Sequence, residues 1–135
     1  MGETVTRCYH PSMSRFTLIK NLDRPSVNPI RVKYCDSFLC RLRGYTFRHK
    51  IDRDEGLLLV HPRDGRLDTS IHMLGVWFDL SIVWINAGLV VVDKVLARRW
   101  RPAYFPQKPA MYILEIHAER WDDFRVGDQV WLKDA

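Results

Sequence analysis

Ser70 and His72 stand two residues apart in a stretch that reads as extended chain, so their side chains share a face and could meet as nucleophile and base. Glu115 and His117 repeat that spacing further on. Neither pair comes with a nucleophile elbow or a recognisable oxyanion hole, so histidines hydrogen-bonded within a sheet account for the same residues. Metal binding has weaker support. Cys8, His10, Cys35 and Cys40 could supply four ligands only if distant segments met, and their spacing fits no standard zinc pattern. Asp52, Asp54 and Glu55 form an acidic turn too short for a calcium loop, better suited to capping amides or pairing with Arg53. Arg98, Arg99, Trp100, Arg101 and Tyr104 interleave cations with aromatic rings, which suits a protein interface or stacking on bases or sugars. Asp79 interrupts an apolar run and, once buried, needs a cation from the 98–108 loop.

The elements that must position these groups read mainly as strands. Residues 15–22 alternate well enough for one short strand, and Ile30–Tyr34 alternates apolar with basic residues. Asp36-Ser37 offers cap oxygens for one short helix near residues 37–43, stopped by Gly44, with Phe38, Leu39 and Leu42 on one face. Gly56–Val60 is a short apolar run bounded by His61-Pro62-Arg63-Asp64-Gly65. The stretch from Gly75 to Val95 has the length of a membrane span. Asp79 within it, the Asn86-Ala87-Gly88 break and its β-branched content favour a hairpin of Trp77–Ile85 and Leu89–Val95 instead. Residues 98–109 form a proline-rich loop, Met111–Ile116 returns to strand, residues 119–124 suit a helical turn, and Gln129–Lys133 is a last strand. The pattern predicts a mainly β domain, with antiparallel sheets in a sandwich or jelly-roll-like arrangement. Residues 1–29 read as an N-terminal extension and 30–135 as the single β-rich domain.

At 135 residues, 47% apolar and 27% charged, the chain is long enough for a core without disulfides or metal. Three cysteines without a C-x-x-C pair and no apolar leader in Met1–Arg15 suggest reduced thiols in a cytoplasmic protein. The net charge of +5 is uneven: residues 1–53 hold 11 Lys/Arg against 4 Asp/Glu. The cluster Arg41, Arg43, Arg48, Lys50 and Arg53 could meet an anionic partner, nucleic acid included, or be a solvated basic face.

Several segments in order carry a resemblance. They are Arg43-Gly44-Tyr45-Thr46-Phe47-Arg48, Glu55-Gly56-Leu57-Leu58-Leu59, Ser70-Ile71-His72-Met73, Phe78-Asp79-Leu80-Ser81, Pro106 to Ala110, Ile113-Leu114-Glu115 and Gly127-Asp128. Together, over roughly residues 30–133, this set resembles the prokaryotic family named domain of unknown function number 192. The resemblance implies a compact, mainly β, sandwich-like fold, and it brings no established activity, cofactor or catalytic residue. Where the family often carries Pro-x-Asp, this chain has Asp79-Leu80-Ser81, a shift of two residues that keeps the acid on the same strand face.

The residues point to a binding or regulatory module rather than an enzyme. The candidate site groups Arg43, Glu55, His72, Asp79, Lys108 and Glu115, with Arg43 and Lys108 holding an anionic group or Asp79, and the Arg98–Arg101 segment as a candidate interface. The ligand is a small molecule, anionic in one version, or a protein. No metal or cofactor is implied. The alternatives are a hydrolase or lyase using His72 with Asp79 or Glu115, and nucleic-acid binding through the 41–53 and 98–101 clusters, which requires those clusters to share a face.

Overall fold

The computed structural model describes residues 15–134. Cys8 and His10 lie outside them, so the four-ligand metal set is not placed. Seven strands make one sheet: β1 (Phe16–Asn21), β2 (Ile30–Cys35), β3 (Gly56–Gly65), β4 (Leu80–Ile85), β5 (Val91–Ala97), β6 (Ala110–His117) and β7 (Val130–Asp134). Their spatial order is β5-β4-β6-β3-β2-β1-β7. The mainly β expectation holds, but the strands form one curled sheet rather than two facing ones, and β2 pairs with β3 in parallel. The strand foreseen at residues 15–22 is β1, an interior strand between β2 and β7, so the sheet begins at Phe16 rather than Ile30.

The sheet curls because alternate residues feed two separate cores. Ile19, Ile30, Val32, Leu58, Val60, Val83, Ile85, Val91, Leu114, Ile116 and Val130 draw all seven strands into one cluster around Phe124, which marks the enclosed face. The edge strands β5 and β7 meet at one end, where Val90 bridges Gln129 and Val91 N–H donates to the Asp128 carbonyl at 2.9 Å. The outer face carries Leu57, Leu59, Leu80, Ile82, Trp84 and Ile113, covered by loop residues Tyr45, Ile51, Ile71, Met73 and Val76. Trp84 Nε1 donates to the Thr69 carbonyl at 2.7 Å and pins the 66–76 loop across that face. β4 is buried on both faces, which is why its sequence shows a continuous apolar run rather than alternation.

The expected hairpin is β4–β5, paired antiparallel. At its turn the left-handed residue is Leu89, φ 63°, while Asn86 Oδ1 accepts from Val90 N–H at 3.0 Å. The expected helix is α1 (Phe38–Arg43), with the Ser37 hydroxyl accepting from Cys40 N–H and Gly44 as C-cap. A 3-10 helix spans Ala118–Asp123. No helix among the described residues is long and apolar enough to cross a membrane. The reading of all cysteines as reduced thiols is corrected: Cys35 and Cys40 form a disulfide that ties α1 to the end of β2.

Candidate functional site

β6 fixes the centre of the site. Leu114 and Ile116 point into the enclosed core, so Ile113 and Glu115 must face outward, toward α1 and the loops over it. There a cavity of about 450 Å³ opens between α1 and the sheet. Its apolar lining comes from Phe38, Leu42, Leu59, Ile71, Met73, Val76, Leu80 and Ile113. Glu115 also lines it, only 6% exposed, and no hydrogen bond from any described residue reaches its carboxylate. Burial pushes that carboxyl up to about 7. Gly44 passes directly over it, since a Cβ there would sit 3.6 Å from Glu115 Oε1. The positive φ of 49° at that turn is what favours glycine there.

Polar groups converge on the same space. His61 lines the cavity with Nδ1 buried and unpartnered; burial first, then the Arg41 charge, lowers its pKa. Arg41 is held at the wall by donating from one guanidinium nitrogen to the carbonyls of Asp36 at 2.6 Å and Val60 at 3.0 Å. Arg43, His72, Asp68 and Ser70 complete the rim. Ser70 Oγ donates to the Leu67 carbonyl at 2.9 Å and makes no hydrogen bond with His72. Tyr45 is buried between this cavity and a second hollow on the far side of α1; burial first, then the charges of Glu55 and Glu115, raises its phenol.

Of the six residues proposed from sequence, Arg43, His72 and Glu115 come together here. Glu55 lines the second hollow and pairs with Arg48 at 2.8 Å. Burial pushes Glu55 up, but the Arg48 hydrogen bond, the Asp52 amide and the Arg48 charge outweigh it and hold its pKa below the usual value. That accounts for the acidic turn without an ion, and among the described residues no cluster suits a metal. Asp79 turns away from the cavity to the 98–101 loop. It accepts from Arg99 N–H at 2.9 Å and pairs with Arg99 Nε at 3.2 Å, and the backbone bond is the main cause of its lowered pKa. The cation therefore comes from the loop expected to supply it. Lys108 is exposed and lines neither hollow. His117 Nδ1 accepts from Glu119 N–H at 3.0 Å, a cap for the 3-10 helix.

Sequence reasoning missed His61 and Tyr45, and named Arg41 only within the basic cluster, not in the candidate site. His61 had a readable signal: it lies two residues after Leu59 and so shares its outward face, but Pro62 and Gly65 disguised a strand that runs on to Gly65.

The family profile of domain of unknown function 192, described as "Uncharacterized ACR", matches residues 19–132. A UPF0127 protein of Thermococcus kodakarensis is 36% identical over 85 residues, covering 63% of this chain and 52% of that protein. Another from Thermococcus gammatolerans is 36% identical over 101 residues, covering 73% and 64%. The chain thus matches between half and two thirds of the length of these relatives. Among solved structures, a protein of unknown function from Novosphingobium aromaticivorans superposes with a TM-score of 0.71 at 16% identity, covering 96% of this chain and 99% of that one. A candidate transcription regulator from Sinorhizobium meliloti gives 0.74 at 14% identity, covering 90% and 94%. At such identities the likeness is one of fold. The profile, spanning most of the chain, settles its place: this protein belongs to the uncharacterised domain of unknown function 192 family.

Proposed function

We propose that this domain is a binding module that holds a small molecule in the cavity between α1 and the sheet. One observation carries the reading: Glu115, buried and without a hydrogen-bond partner among the described residues, faces a cavity whose wall beside it is largely apolar and whose other polar groups stand at the wall and rim. A carboxyl group taken out of water is costly unless something bonds to it, and a ligand bearing a hydroxyl or amine at its buried end supplies that bond. Arg41 and Arg43 at the wall and rim suit an anionic group at the other end. The fitting ligand class is therefore a compact molecule with an apolar body, a hydrogen-bond donor at one end and a negative charge at the other.

The hydrolase or lyase alternative has less support, because Asp79 is committed to Arg99 and no hydrogen bond joins His72 to Glu115. The test is a thermal-shift panel of ω-amino acids, aliphatic amines and phosphorylated alcohols on wild type and Glu115→Gln. The expected result is a concentration-dependent rise in Tm for at least one compound, reduced in the variant. A silent panel, or shifts of equal size in both proteins, overturns the reading.

A further inference from the structure

Independently of the cavity, the structure joins three loops into an apolar patch that neither the family nor the cavity explains. Phe47 is 78% exposed, Leu74 48%, and Trp77 and Trp100 47% each. They are contiguous: Phe47 N–H donates to the Gly75 carbonyl at 2.8 Å, and Trp100 N–H donates to the Met73 carbonyl at 2.9 Å. Trp100 also meets Trp77 edge to face, at 5.2 Å between ring centroids. Phe47 and Trp100 both hold positive φ, 70° and 65°, a backbone state unfavourable for bulky side chains. Two aromatic residues are thus kept strained and turned to water, a combination that folding alone does not select.

The surround is basic. Arg48 and Arg99 are neutralised by Glu55 and Asp79, but Lys50, Arg98 and Arg101 are exposed and without a carboxylate partner among the described residues. Of the 41–53 cluster, only the His49–Lys50 end shares this face with residues 98–101, since His49 stacks on Trp77 at 5.5 Å, whereas Arg41 lines the cavity and Arg53 pairs with Glu119. An apolar tip within a ring of free cations complements a negatively charged surface with an apolar layer beneath it. We propose that this patch docks the protein on an anionic phospholipid surface. Tryptophans belong at the headgroup level, Phe47 and Leu74 reach the acyl boundary, and Lys50, Arg98 and Arg101 meet the phosphates. Single-stranded nucleic acid fits less well. Leu74 offers no stacking surface, and His49 already covers one face of Trp77.

The experiment is co-sedimentation of the full chain with vesicles of phosphatidylcholine alone and of phosphatidylcholine with equal phosphatidylglycerol, read with bromine-labelled lipid as a tryptophan quencher. Wild type should bind the anionic vesicles with quenching, and binding should fall as salt rises. The double variant Phe47→Gly/Trp100→Gly, whose glycines suit the left-handed backbone, should bind at least about tenfold more weakly, as should Arg98→Ser/Arg101→Ser. Glu115→Gln should bind as wild type does. Unchanged circular dichroism and Tm in the variants confirm that the fold survives. Absence of sedimentation, equal binding to neutral vesicles, or binding that both double variants retain overturns the proposal. So does binding of oligouridylate, lost in these variants, by a protein that ignores vesicles.

Discussion

Glu115 ionises near 4.5 in an unfolded chain and at about 7 in the folded protein, so folding stability depends on pH in a defined direction. Between those values the unfolded chain has released a proton that the folded protein still holds. Stability therefore falls as pH rises from about 4.5 through about 7, by roughly 3 kcal/mol in total. Urea melts at pH 5 and pH 8 check this: wild type should lose stability at the higher pH, and Glu115→Gln should lose less by about that amount. A variant whose loss equals that of wild type would show that the carboxyl is compensated. The sequence singled out Asp79 as an acid inside an apolar run and Glu115 by its spacing from His117, and only Glu115 faces the cavity. The difference is local. Glu115 lies inside β6, where alternation fixes its direction, whereas Asp79 precedes β4, where the chain is free to turn toward Arg99. Periodicity speaks for residues within a strand and is silent one residue before it.

α1 bears on the cavity out of proportion to its size. It has six residues and none is buried. Phe38, Leu39 and Leu42, the residues expected to share one face, are 68%, 74% and 56% exposed. A helix this short has no stability of its own. What holds it is the Cys35–Cys40 bond, the Ser37 cap and the two bonds from Arg41 to main-chain carbonyls. Reduction, or Cys40→Ser, should therefore raise amide hydrogen exchange at Arg41 and Gly44 while β4 and β6 amides keep their protection. Equal protection in the oxidised and reduced forms would count against the disulfide as the helix's anchor. The helix itself was legible from Ser37 and Gly44, since caps are local. Its packing was not, because an apolar stripe shows which residues share a face, not that anything covers them. The disulfide was hidden for a similar reason: two cysteines five apart meet only if a strand ends and a helix begins between them.

At the scale of the whole molecule, Phe124 fills the centre of the enclosed face and is 1% exposed. Phe124→Ala should cost roughly 3–5 kcal/mol in chemical denaturation, because strands from both edges of the sheet contact the space it leaves. A loss under about 1 kcal/mol would mean that the curl collapses to fill the gap. Most strands were readable in the sequence; their partnership was not, because alternation does not tell a strand which neighbour to choose. The edges meet where Val130 N–H donates to the Leu89 carbonyl, Gly127 N–H to the Val91 carbonyl and Val91 N–H to the Asp128 carbonyl, with Val90 bridging Gln129. β7 also pairs with β1 across almost the full chain, Lys20 beside Trp131. During synthesis, then, every other strand leaves the ribosome before the one that seals the sheet. Until it arrives, β1 and the start of β5 present open backbone edges, and the nascent sheet is most exposed to mispairing with its neighbours in the interval before β7 emerges.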